Sequence, residues 1–134
     1  MLETAIAFPL LILVALGLLE FALFFHAHNV VEAAAQDSAR LLAARNGTVG
    51  DARGHFDALV GAGLGGYATH VSADIPQPGP EDAVVTVTAK GDFPTFILWV
   101  DPGKGLTRLS LPLDVQVVMN RECFRPHESK PACA

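Results

Sequence analysis

The sequence predicts an α+β fold in which one long N-terminal helix, half in lipid and half projecting, packs on a small antiparallel sheet. Three observations carry that prediction. From Thr4 to Phe25 the chain is an apolar run whose one formally charged member is Glu20. The run passes without a helix breaker into an amphipathic stretch that closes at Asn46-Gly47. Beyond it, three segments alternate apolar and polar residues with the period of a half-buried strand.

As a helix rising ~1.5 Å per residue, the apolar run reaches roughly 30 Å, the thickness of a bilayer's hydrocarbon core. Backbone groups in lipid must be satisfied inside the segment, which leaves a helix as the spanning form. A cleaved secretory signal has a basic start, a short apolar core and a small-residue cleavage site. Here no Lys or Arg precedes Arg40, the apolar run is longer than such a core, and Phe24-Phe25-His26-Ala27-His28 makes a poor cleavage site. A retained anchor over residues 1–25 is therefore expected. Charge bias alone does not orient it, because the basic residues nearest the run, Arg40 and Arg45, flank one end only.

Two members of the run sit awkwardly in lipid. Pro9 removes a backbone donor and crowds the preceding turn, so it should kink or loosen the helix. Glu20 carries a charge that costs about 2.5–3.5 kcal/mol near mid-membrane, so it should either reach water at the interface or face a protein partner. Glu3 is placed more cheaply, since a carboxylate suits a helix N-terminus.

After Phe25 the pattern becomes two-faced, and residues 26–46 read as a continuation of the same helix. Ala27, Val31, Ala34, Ala35, Ser38, Leu41 and Leu42 recur at three- and four-residue steps. Asn29, Glu32, Gln36 and Arg40 take the opposite face, with Gln36 and Arg40 one turn apart and able to pair. The apolar face is mostly alanine, so whatever covers it must approach the backbone closely. Asn46-Gly47 is expected to supply a left-handed stop, which explains Asn46-Gly-Thr48 better than a glycosylation acceptor does. The whole helix would be about 60 Å long.

This stretch carries a family likeness. Glu3-Thr-Ala-Ile-Ala-Phe-Pro9, then Gly17-Leu-Leu-Glu-Phe21, then the alanine-rich run ending Ser38-Ala-Arg-Leu-Leu-Ala-Ala-Arg45 resembles the TadE-like proteins. These are minor pseudopilins of tight-adherence (Flp-type, type IV-related) pilus systems. The likeness covers the first third of the chain and recurs weakly at Val117-Val-Met-Asn-Arg-Glu122, similar to the family's closing strand. It implies a pilin-like shape and a structural role, with Glu3, Pro9, Gly17, Glu20 and Phe21 as subunit-contact residues. It also implies other pilin or pseudopilin subunits and an inner-membrane assembly platform as partners, and a distal domain outside the cytoplasmic membrane. Family members are made with a short basic leader ending in glycine, and a prepilin peptidase is a further expected partner if such a leader lies upstream of Met1.

The remainder, residues 47–122, reads as one small α+β domain, followed by a tail at 123–134. Asp51 to Gly63 is a short amphipathic helix with Ala52, His55 or Phe56, Leu59 and Val60 on one face, ended by Gly61-Ala-Gly-Leu-Gly-Gly66. That glycine run follows a helix and lacks a Lys-Ser/Thr ending, so it is a linker and not a phosphate loop. Strands are expected at Val71–Ile75, Val85–Lys90 and Leu109–Met119, the last showing the clearest alternation. The projecting helix should cover their apolar face, and Pro112 should place the last strand at an edge or a bulge. Phe93-Pro-Thr-Phe-Ile-Leu-Trp-Val100 is apolar for a connection. It reads as a lid on the core, with an exposed contact patch or an aromatic foot on the bilayer as the alternative. Cys123 and Cys133 are either a closed loop or two separate thiols, and in an oxidising exterior closure would stabilise by about 2–3 kcal/mol.

Composition narrows the classes of function. The 134 residues carry a net charge of −5, which argues against a nucleic-acid partner. The nine basic residues are scattered, with no block to grip an anionic membrane surface. His28 and Glu32 lie one turn apart, but two residues make a poor metal site, and His55, His70 and His127 come from unrelated segments. No nucleophile elbow, triad spacing or CxxC appears. No cofactor, metal or enzymatic activity is expected. The expected function is structural, a minor pilin or pseudopilin held by its N-terminal helix. The rival is a membrane-anchored assembly or secretion accessory that never enters a filament.

Overall fold

The computed structural model describes residues 2–44, 47–79, 82–101, 103 and 105–121, with backbone alone at 2–6, 67–69 and 96–101. Helix α1 spans Leu2–Ala43 and helix α2 Val49–Leu64. A short 3₁₀ segment, Gly65–His70, leads into strand β1 (Val71–Asp74), followed by β2 (Val84–Asp101) and β3 (Gly105–Asn120). The sheet is antiparallel in the order β1-β2-β3. Helix α1 lies along β2 and β3, and α2 packs beside α1 and touches β1. The fold is thus α+β with a long N-terminal apolar helix.

Helix α1 runs 42 residues, about 63 Å at ~1.5 Å per residue. Its second half buries Ala27, Val31, Ala34, Ala35, Ser38, Ala39, Leu42 and Ala43. Alanine on this face brings the neighbouring elements close, and Ser38 satisfies its buried hydroxyl by donating to the Ala34 carbonyl at 2.7 Å. The face is rotated slightly from the expected one. Ala39 turns inward and Leu41 lies exposed. The polar face also pairs differently. Gln36 donates to Glu32 at 3.2 Å, and Arg40 meets Asp37 at 3.4 Å, because a carboxylate offers Arg40 the negative charge that Gln36 lacks.

The helix stop differs in mechanism from the expectation. Helix α1 ends at Ala43, and among the described glycines only Gly65 and Gly105 have positive φ, so Gly47 is not a left-handed cap; Asn46 lies outside the described residues. Gly47 is needed for room instead. A β-carbon there would run into the Leu41 carbonyl, while the Gly47 amide donates to the Ala44 carbonyl at 3.0 Å. Thr48 then starts α2 as its N-cap: its hydroxyl accepts from the Asp51 amide at 3.1 Å and donates to the Asp51 carboxylate at 2.7 Å.

Helix α2 buries Ala52, Phe56 and Val60 and leaves His55 exposed, which resolves the expected face in favour of Phe56. The helix passes through Gly61 and Gly63 and stops only at Gly65, whose positive φ of 55° is a backbone conformation that favours glycine. The glycines inside it have a packing reason at one point. A β-carbon on Gly63 would lie 2.5 Å from the Val30 Cγ1, so the residue sets how closely α2 approaches α1.

The sheet departs most from expectation at β2. Residues Phe93–Val100 are not a connection or lid; they continue β2, which runs 18 residues to a turn before Gly105. Alternation is lost there because Pro94 cannot donate to the ladder and the register slips between Pro94 and Leu98. Pro112 does lie on an edge strand, opposite Asp92. Val85, Val87, Ala89 and Phe93 of β2 and Leu113 and Val115 of β3 face the helices, whereas Lys90, Asp92, Asp114 and Gln116 face water. Arg121 ties the loop before β2 to the end of β3 by donating to the Gly79 carbonyl at 2.8 Å. Cys123 and Cys133 lie outside the described residues.

Candidate functional site: the apolar half of the long helix

The N-terminal half of α1 is a surface whose composition conflicts with water. Phe8, Leu10, Leu11, Leu13, Val14, Leu16, Leu18 and Leu19 are all more than half exposed, with Leu13 at 71%. A single helix long and apolar enough to cross a membrane is found among the described residues, and it is this one. Leaving that much aliphatic surface in water costs ~25 cal/mol per Å², so the helix demands a lipid or protein surround.

The sequence-derived contact residues fall into two groups on this helix. Glu3 lies in the first turn of α1, where only its backbone is described. Pro9 is exposed within an otherwise continuous helix, and its ring leaves the Ala5 carbonyl without its usual amide partner. Both precede the part of α1 that the domain covers.

Gly17, Glu20 and Phe21 lie instead where the sheet reaches the helix. Glu20 is only 8% exposed. With Gly17, Phe21, Phe24, Thr95, Leu109 and Leu111 it lines a mostly apolar cleft of about 220 Å³ between α1 and the β2–β3 hairpin. Phe21 borders that cleft while staying largely exposed, its ring 4.5 Å from that of Phe25. Phe24 makes an edge-on contact with Phe93, ring centroids 6.1 Å apart. Thr95 is buried there and donates to the Leu109 carbonyl at 2.7 Å, a cross-strand bond that holds the irregular part of the hairpin together. The awkward carboxylate of the apolar run is thus shielded by the protein's own sheet. Sequence reasoning missed Thr95, Leu109 and Leu111 as its neighbours. Their signal was present in the continuation of β2, hidden by Pro94.

Gly17 has a different status from the packing glycines. A β-carbon added to it would meet nothing within 4 Å. Among the described residues nothing requires glycine at this position.

Among the described residues the remaining polar groups lie scattered on the surface. His28 and Glu32 approach to 3.9 Å on the half-exposed flank of α1. Among the described residues no group of three His, Cys, Asp or Glu could hold a metal ion. A second depression beside β1 is lined by His70, Ser72, Lys90, Asp92 and Asp114, and is a shallow polar recess on the water-facing side of the sheet.

Comparison with known proteins agrees with this emphasis on the helix. No curated protein and no solved structure matches the chain. The family model described as TadE-like protein matches residues 1–40, which is α1 almost to its end. The matched span holds Glu3, Pro9, Gly17, Glu20 and Phe21 together with the apolar surface that water cannot satisfy. Over its first 40 residues, the span of the long helix, the chain is similar to the TadE-like proteins.

Proposed function

We propose that this chain is a minor pilin or pseudopilin of an Flp/Tad-type pilus, anchored in the bacterial cytoplasmic membrane by α1 with its α+β domain on the outer side. The observation that carries the reading is the bare apolar half of α1, joined to a folded domain through the same unbroken helix. Such a helix is stored in lipid as a monomer, and it can exchange lipid for sister helices of similar polarity at little cost in apolar burial. The family match supports a place among pilus components, and other pilus subunits and the inner-membrane assembly platform are the partners proposed. A prepilin peptidase joins them if a basic leader precedes Met1.

In the assembled state Glu3 pairs with the free amino terminus of a neighbouring subunit. A charge pair of that kind is strong only where water is excluded, and leaving one member unpaired there is costly. Pro9, with its missing hydrogen bond, and Gly17, with its low helix propensity, are the places where α1 loosens as it moves from lipid into a bundle. Glu3→Ala should leave the protein in the membrane fraction and strip it from sheared surface fibres. Wild-type abundance of Glu3→Ala in those fibres would remove the ion pair from the mechanism. If the unmodified protein is found only in membranes and never in sheared fibres, the chain is an assembly accessory instead.

A further inference from the structure

Resting on the anchor reading above, we infer that the sheet's contact with residues 17–24 of α1 is a strap that stands open while the helix spans lipid and closes once the helix has left it.

Two surroundings compete for this stretch. Phe93 packs on Phe24, and Thr95, Leu109 and Leu111 line one cleft with Glu20 and Gly17. With the strap closed, the apolar run free of the sheet is at most Thr4–Leu16, about 13 residues and ~20 Å of helix. The hydrocarbon core is ~30 Å thick and takes about 20 residues, which the run supplies from Thr4 to Leu23. A spanning α1 therefore needs residues 17–23 in lipid. The strap cannot follow them there. Its outer strand β3 is a sheet edge whose donors and acceptors hydrocarbon leaves unsatisfied, and Arg108 and Ser110 stand exposed on it. Lipid and sheet thus exclude each other over the same turns of helix.

The ladder is weakest at the place where it would have to bend. Pro112 stands opposite Asp92 and Pro94 opposite Ser110, so each strand carries a proline there. Both prolines lack a backbone donor, and the register slips between Pro94 and Leu98. To one side of the prolines lie the buried core positions Val85, Val87, Ala89, Leu113 and Val115; to the other lie Thr95 and Leu109. The Thr95 hydroxyl donates to the Leu109 carbonyl at 2.7 Å, which keeps the two strands together beyond the bend. The strap can therefore lift as one piece while the core on the alanine face stays shut.

Each state settles Glu20 differently. In the open state it lies one turn inside the end of the span, ~5 Å from the interface and able to reach water. In the closed state the sheet covers it to 8% exposure and leaves Leu18, Leu19 and Phe25 bare for sister helices. The strap thus couples the outline of the domain to the surroundings of its anchor.

The test uses the full chain with nitroxide labels at Leu19→Cys and Ser110→Cys, both exposed positions, and with Cys123→Ser and Cys133→Ser to leave no other thiol. Double electron–electron resonance reads the distance between the labels in dodecyl maltoside micelles and in phosphatidylcholine/phosphatidylglycerol vesicles. The expected result is a short distance in micelles and one longer by ~10 Å or more in vesicles, since the strap must clear the width of a helix. Leu111→Asp should give the long distance in both, with helix content by circular dichroism unchanged, because a second carboxylate in the cleft of Glu20 opposes closure. Equal distances in micelles and vesicles, with Leu111 in place, overturn the inference. So does a Leu111→Asp chain that keeps the short distance in micelles. Release of the labelled chain from vesicles by alkaline carbonate would overturn the anchor reading itself, and the two failures are thereby told apart.

Discussion

At Gly17 the monomer has room for a side chain it does not carry. The open space around its would-be β-carbon contrasts with Gly63 and Gly47, where Val30 and the Leu41 carbonyl stand in the way. Gly17→Ala therefore adds helix propensity, about 1 kcal/mol in a water-exposed helix, without a clash inside the chain. The domain should unfold at an equal or higher temperature in detergent, while incorporation into sheared fibres falls, because bundled helices approach most closely over small residues. A lowered unfolding temperature would show that glycine serves the monomer after all. Glu20, three residues on, shows the complementary case. Its charge was legible in the sequence as out of place, but the neighbours that shield it come from residues 95 to 111, too far along the chain for local patterning to reveal.

At the scale of elements, each helix was legible wherever periodicity and caps agreed. Helix α1 follows from an unbroken apolar run passing into an alanine face. Helix α2 was legible by its face, but its start was obscured by Asn46-Gly47, which draws attention away from Thr48 and the Asp51 three residues later. That Thr-x-x-Asp pair is a reciprocal cap, with one hydroxyl serving both a backbone amide and a carboxylate. Thr48→Ala should lower stability by ~1 kcal/mol. Amide exchange should quicken in the first turn of α2 while the α1 amides facing the sheet stay protected. Uniform loss of protection across both helices would place Thr48 in the shared core and not at a cap. Strand β2 was half legible. Its first part alternates cleanly, whereas after Phe93 a proline and a register slip erase the period of two. Composition there suggested a lid, yet the backbone continues the ladder because β3 offers partners for the same length.

For the whole molecule, the sheet does not sit only on the amphipathic part of α1. It reaches across the expected limit of the anchor, with Phe24 on Phe93 and Glu20 beside Thr95. Length and hydropathy placed a boundary near residue 25, since they register what a segment contains and not what folds back over it. Domain and anchor thus share residues 17–25, and the two should not separate cleanly at His26. Two truncated chains test this, one beginning at Gly17 and one at His26, compared in the same mild detergent. The first keeps Phe24 over Phe93 and the Glu20 side of the cleft; the second uncovers Phe93 and Leu111. Removing one well-covered aromatic contact costs about 1.5–3 kcal/mol, so the chain beginning at His26 should unfold at a clearly lower urea concentration. Equal midpoints would mean that the hairpin only lies beside the anchor without drawing stability from it. In that event the domain would be free to swing about α1.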